Sequence, residues 1–249
     1  MKIISIHSFR GGTGKSNITA NLGYCLAKLG EKVCIIDTDI QSPGIHIPLQ
    51  LLDYKGATLN DYLFDKNNVK DVVVDISEKH NLKESSFHAI ICDSNIQAIA
   101  QILKEGYDIT KLAKVFKSLQ DDLGIGYLLI DTHPGLNEET LLSAALSDIF
   151  IVVMRPDEQD YQGTAVTVEV AKKLKVKNIH ILVNMINPEY DHKQIKNIVQ
   201  EKYNCNVLET LPHTYNLSKI ASKKLYTLLS VKSIWPQKIM NVAKTLKFL

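Results

Sequence analysis

Arg10-Gly11-Gly12-Thr13-Gly14-Lys15-Ser16 is the stretch on which the reading of this 249-residue chain turns. It follows an apolar run, Ile3 to Ser8, that reads as a strand, and it opens a segment from Lys15 to about Lys28 that reads as a helix. In that segment Ile18, Leu22, Cys25, Leu26 and Leu29 recur at helical spacing, and Gly30 supplies a C-terminal stop. Glycines between a strand and a helix let successive backbone N–H groups turn towards one anion. The helix behind them points its positive end at the same place. The stretch therefore reads as a phosphate-binding loop with Gly11, Gly12, Thr13 and Gly14 as its cradle and Asn17 continuing it into the helix. Lys15 would reach the β- and γ-phosphates of a nucleotide, and the Ser16 hydroxyl would bind Mg2+.

Outward from the loop, short β-rich runs alternate with helix-length segments. Strands are expected at Val33–Asp37, Ala89–Cys92, Gly126–Asp131, Ile149–Met154, Ile179–Val183 and Asn206–Leu211. Helices are expected at Ile96–Leu103, Ile109–Leu119, Glu138–Leu146, Gln159–Leu174, Asp191–Lys202, Leu217–Lys223 and Pro236–Phe248. This alternation predicts an α/β fold: a doubly wound, mostly parallel sheet with helices on both faces. Residues 55–86, rich in Asp, Asn and Lys, read as an irregular insertion between strands. No repeat or linker divides the chain, so residues 1–249 are expected to form one domain.

A phosphate loop needs a carboxylate for its metal at the end of a nearby strand. Tyr127-Leu128-Leu129-Ile130-Asp131 supplies one, followed by Thr132-His133-Pro134-Gly135, and Asp131 is expected to hold Mg2+ through water. The other acidic strand end is Ile35-Ile36-Asp37-Thr38-Asp39. Two residues apart on a strand point to one face, but these two straddle the point where the chain leaves the sheet. Either acid could instead close an Asx turn.

The loop's Gly-Gly pair behind a cation, with Phe9 where the general phosphate-loop pattern has glycine, resembles the deviant Walker A motif of the MinD/ParA family of P-loop ATPases. That family's loop reads K-G-G-x-G-K-[ST], and this chain has Arg10 for the first lysine. The resemblance spans about residues 2–230. It implies ATP and Mg2+ as ligands, an ATP-dependent homodimer, and slow hydrolysis stimulated by a partner protein that is not identified. It also implies use as a switch that positions or partitions a cargo. Arg10 would take the signature lysine's role of reaching the partner's nucleotide; the plainer reading is a surface arginine beside Phe9. By the same match Asp39 would orient the attacking water and Asp37 would sit near the metal. Thr58-Leu59-Asn60-Asp61-Tyr62-Leu63 resembles the family's short helix after the first switch, and Met154-Arg155-Pro156-Asp157-Glu158 its post-strand proline segment. Asn184, closing Ile181-Leu182-Val183-Asn184, would bond the adenine edge, with Pro212 beside the base.

Composition bounds the rest. With 45% hydrophobic and 22% charged residues the chain has ordinary globular usage, which argues against disorder. The net charge of +2 hides eight lysines and one acid from Lys202 onward, a local +7 against −5 for residues 1–201. Bulk charge thus excludes a general nucleic-acid binder but leaves a basic C-terminal surface. Three outputs stand for it. The terminal segment, with Ile239, Val242, Ala243, Leu246 and Leu249 at helical spacing among lysines, could lie on an anionic membrane or pack on the sheet. Lys219, Lys223, Lys224 and Lys232 could meet DNA non-specifically, or only a protein could be recruited. Cys25, Cys34, Cys92 and Cys205 form no C-x-x-C pair, which argues for a reduced, cytoplasmic chain without its own iron–sulfur site. A small-molecule kinase or ligase on the same fold, and a non-hydrolysing ATP-binding scaffold, are the alternative readings.

Overall fold

In the computed structural model, which describes residues 1–82 and 85–249, the apolar runs pair side by side. Strands β1 (Lys2–His7) and β2 (Val33–Asp37) are linked by helix α1 (Lys15–Lys28). The insertion then folds as α2 (Leu59–Leu63), α3 (Val69–Val72), the two-residue strand β3 (Val74–Asp75) and a 3-10 turn at Glu78–His80. Next come β4 (Phe87–Ile90), α4 (Ile96–Glu105), α5 (Thr110–Asp121), β5 (Tyr127–Asp131), α6 (Glu138–Leu146) and β6 (Ile149–Met154). The chain continues through α7 (Glu158–Lys173), β7 (Asn178–Ile186), α8 (His192–Tyr203) and β8 (Asn206–Pro212). Helices α9 (Tyr215–Lys219), α10 (Tyr226–Leu229) and α11 (Ile234–Phe248) complete it.

The eight strands form one sheet in the order β3-β4-β2-β5-β1-β6-β7-β8, parallel except for β3, as the expected α/β class requires. β1, β2, β5 and β6 carry β-branched and leucine side chains on both faces and are almost wholly buried, because helices cover both sides. Order and register place the chemistry. β5 lies between β1 and β2, with Asp131 level with both Ile6 and Asp37. The phosphate loop and both acidic strand ends therefore leave the sheet side by side at its C-terminal edge, where open α/β sheets bind ligands.

Some expectations need correction. Phe87 to Ile90, not Ala89 to Cys92, is the strand, because Phe87 pairs with Val33 at the start of β2. The insertion is not wholly irregular: Thr58 and Asn68 each start a short helix in a capping box, and β3 pairs antiparallel to β4. Its residues 83 and 84 lie outside the described residues.

Of the two readings of the terminal helix, the structure has it packed on the sheet. Trp235, Ile239, Val242, Ala243 and Leu246 are buried in the same core cluster as Leu22 and Leu26 of α1. Lys238 pairs with Glu209 and Lys247 with Glu31, at 2.8 and 2.7 Å. The apolar stripe is thus core, and the large apolar residues left exposed are at the two ends, Ile234 at one and Phe248 and Leu249 at the other. No helix among the described residues is long and apolar enough to cross a membrane.

Candidate functional site

The loop after β1 takes its shape from two of its glycines. Gly12 and Gly14 have φ of +79° and +86°, in the left-handed region that side chains disfavour, and Gly14 carries the chain into α1. The loop is braced from β7, where Asn184 Nδ2 donates to the Thr13 carbonyl at 2.8 Å. A Cβ on Gly14 would stand 2.6 Å from that same nitrogen. Gly14→Ala is therefore expected to cost about 1–2 kcal/mol from backbone strain alone and to break the Asn184 brace. Thermal melting would show the loss, and nucleotide titration a weakened affinity; an unchanged melting temperature would mean that the loop relaxes freely.

Lys15, 7% exposed, donates from Nζ to Asp131 Oδ1 at 2.8 Å. Thr19, one turn further along α1, donates to the same oxygen at 3.1 Å. Asp131 is fully buried, and its Oδ2 has no hydrogen-bond partner among the described residues. Ser16 lines a cavity of about 290 Å3 together with the loop, Asp39 and Pro134. These groups fit Mg2+-nucleotide: a nest of N–H groups, an ammonium, a hydroxyl, and a buried carboxylate oxygen without a partner. No cluster of three or more His, Cys, Asp or Glu among the described residues could hold a metal. A metal here would draw most of its shell from phosphate and water, as Mg2+ does.

The two acids of the β2 loop do different things. Asp37, expected near the metal, organises its own loop. Its Oδ1 accepts from the Asp39 N–H at 2.9 Å, and its Oδ2 from those of Gly44 and Ile45 at 3.1 and 3.2 Å. Burial and then the Asp131 charge push its carboxyl above the usual range, Lys15 pulls it down, and Asp39 adds a smaller upward push. Asp39 borders the phosphate cavity. Its Oδ1 accepts from His133 Nδ1 at 2.6 Å and from the Ser42 N–H at 3.1 Å. His133 entered the sequence reading only as part of the run after Asp131. The available signal was a polar, ring-bearing residue two places beyond the carboxylate expected to hold Mg2+.

Asn17 and Asn184 line a second cavity of about 240 Å3 on the other side of Gly14, with Met185, Ser222 and Trp235. Asn17 Nδ2 donates to Ser222 Oγ at 2.8 Å. The Asn184 amide thus both braces the phosphate loop and faces a pocket beside it. Pro212 does neither: it ends β8 paired in register with Ile186, and the residues lining the two cavities do not include it. Arg10 does not line the phosphate cavity either. Its Nη1 lies 3.7 Å from Asp160 Oδ1 and 3.9 Å from Asp157 Oδ1, at the start of α7. Arg155 shares both carboxylates.

Cys25, Cys34 and Cys92 are buried and Cys205 partly so, and all four are free. Burial pushes the Cys25 thiol up to about 12 and Cys34 and Cys92 up as well, which suits inert core residues.

The ParA family, described as the NUBPL iron-transfer P-loop NTPases, matches residues 1–246. An uncharacterized ATP-binding protein of Methanocaldococcus jannaschii is 31% identical over 195 residues, covering 78% of this chain and 68% of that protein. An iron-sulfur cluster carrier protein of Methanococcus maripaludis is 29% identical over 194 residues, covering 76% of this chain and 62% of its own. The solved structure of the septum site-determining protein MinD with Mg-ADP from Pyrococcus horikoshii has the same fold. It aligns with a TM-score of 0.80 at 22% identity over 98% of this chain and 95% of that one. With the family match running over residues 1–246 and the fold shared over nearly the whole length, the chain belongs to the MinD/ParA family of P-loop NTPases.

Proposed function

We propose that the protein is a Mg-ATP-dependent ATPase switch of a single domain. ATP closes two copies face to face, hydrolysis reopens them, and the cycle positions or partitions a cargo in the cytoplasm under the control of a stimulating partner. The observation that carries this reading is the meeting of Lys15, Ser16 and Asp39 around one loop-lined cavity, with the strand-end Asp131 bonded to Lys15 behind it. Ser16 and Asp131 would hold Mg2+, which when bound neutralises charge on the β- and γ-phosphate oxygens. The N–H groups of Gly12 to Ser16 bind phosphate, and Lys15 turns from Asp131 to the β- and γ-phosphates. Asp39 orients the water that attacks phosphorus, and Arg10 reaches the partner's nucleotide. The second cavity, beyond Gly14, would take the base, with Asn184 and Asn17 on its wall.

An iron–sulfur carrier role is less well supported, because this chain offers no pair of exposed cysteines to hold a cluster. The metabolite-ligase and scaffold readings differ in outcome. The test is ATP turnover and light-scattering mass, with and without ATP, for wild type and Asp39→Ala. The expected result is slow turnover and transient dimers for wild type, and a lasting ATP-bound dimer for the variant. Binding of ATP with neither turnover nor dimerisation would favour the scaffold. Binding of that trapped dimer to DNA or to anionic vesicles, compared at low and high salt, tests an output through the exposed Lys219, Lys223, Lys224 and Lys232.

A further inference from the structure

Asp39 is held in an unusually one-sided way. Both hydrogen bonds to its carboxylate, from His133 Nδ1 at 2.6 Å and from the Ser42 N–H at 3.1 Å, fall on Oδ1. A carboxylate oxygen accepts, so Nδ1 carries the hydrogen of the shorter bond. Of the two donors, Ser42 belongs to the same loop as Asp39 and moves with it. His133 does not. It stands on the loop after β5, and that loop is stapled to the sheet centre on both sides of it. Thr132 N–H and Oγ1 both donate to the Ile6 carbonyl, at 3.3 and 3.1 Å, and the Gly135 N–H donates to the Ser8 carbonyl at 3.1 Å. The His133 carbonyl in turn accepts from Thr140 Oγ1, in the first turn of α6, at 3.2 Å. The imidazole therefore refers the Asp39 carboxylate to the central strands and not to its own loop.

We infer that His133 is a positioning residue for hydrolysis: by fixing Oδ1 it aims Oδ2 of Asp39 at the attacking water, and it ties the loop after β2 to the loop after β5. This rests on the proposed role of Asp39. Hydrolysis demands this aim because a nucleophile displaced by an ångström loses most of its advantage, whereas ATP binding, carried by the loop glycines and Lys15, does not depend on it.

The test compares kcat, KM and the affinity for a non-hydrolysable ATP analogue in the full chain for wild type, His133→Ala, His133→Asn, Asp39→Ala and the double variant. His133→Ala is expected to lower kcat by about 10–100-fold while KM and analogue affinity stay within about 3-fold. His133→Asn, whose amide can donate to the same oxygen, recovers most of the rate. Adding His133→Ala to Asp39→Ala slows turnover no further, because the two residues act as one unit. Independently of turnover, 15N spectra of the histidine rings are expected to show His133 with its hydrogen on Nδ1, a form lost in Asp39→Ala. Wild-type turnover in His133→Ala, a slowing that adds to that of Asp39→Ala, or an Nε2–H ring in wild type would each overturn the inference and leave the proposed function standing. A wild-type protein that binds but never hydrolyses ATP overturns both.

Discussion

Lys15→Ala is expected to abolish nucleotide binding and also to destabilise the fold, by about 3–5 kcal/mol, the range for removing one partner of a buried ion pair. The size follows from where Lys15 sits. Its ammonium neutralises a fully buried carboxylate, Asp131, whose other polar contact is the Thr19 hydroxyl on the same oxygen. Asp37 is buried alongside, and Lys15 is the cation that holds its carboxyl down against burial and the Asp131 charge. Without Lys15, Asp37 rises further above its value in the unfolded chain, so the folded state takes up the proton more readily. A carboxyl raised in this way lends stability below its ordinary range and loses it as pH rises through the folded-state value. The deficit of Lys15→Ala relative to wild type is accordingly largest near neutral pH and shrinks on acidification. Denaturant melts of both proteins at several pH values check this. A deficit that grows as pH falls would contradict the electrostatic account.

The partner substitution behaves differently. Asp131→Asn leaves Lys15 without a carboxylate, but Lys15 borders the phosphate cavity and can turn its ammonium to water there. It is expected to cost less stability than Lys15→Ala. The double variant recovers part of the loss without regaining nucleotide affinity, which separates the structural from the functional role of the pair.

The parts of this site that the sequence made legible are those with a local physical cause. Gly12 and Gly14 are glycine because the backbone is left-handed there, and Asp131 follows a buried apolar strand because the strand ends at the loop. The β2, α6 and β6 boundaries were visible for the same reason, since periodicity and caps lie within each segment. What stayed hidden depends on contacts between distant segments. Nothing near residue 37 says that its carboxylate will be drawn onto the N–H groups of Gly44 and Ile45, or near residue 184 that its amide will reach Thr13. The Asp39–His133 bond joins residues 94 apart that meet only because β5 inserts beside β2. The terminal helix shows the limit in reverse. An apolar stripe among lysines reads alike for a membrane surface and for a sheet, and only the neighbouring α1 face, with Leu22 and Leu26, decides between them.

Arg10→Ala is expected to slow ATP turnover by about 10³-fold or more, the effect of withdrawing an arginine from a phosphoryl-transfer site, while a single chain still binds ATP. Arg10 is engaged elsewhere in its own chain, with Asp160 and Asp157 at 3.7 and 3.9 Å, so the contest between the two positions has to be weighed. The side chain is 39% exposed, and ion pairs that open to water are worth about 0–1 kcal/mol. A rate factor of 10³ corresponds to about 4 kcal/mol in the transition state, so the tether loses. Releasing Arg10 also strands no charge. Asp160, whose side chain is 3% exposed, keeps the Arg155 backbone N–H at 2.8 Å and its guanidinium at 3.2 Å. The cis contact is then a parking place that a closing dimer empties at little cost. A complementation experiment isolates the trans role. Arg10→Ala retains its own Asp39 but lacks the cation, and Asp39→Ala retains the cation but lacks the water-orienting acid. Mixed, the two inactive proteins form heterodimers in which the Arg10→Ala site receives Arg10 from its neighbour, and turnover returns. If the mixture stays as inactive as its components while heterodimers are seen by mass, or if Arg10→Ala alone turns over like wild type, Arg10 does not reach across the dimer and serves only to cap α7 beside Arg155.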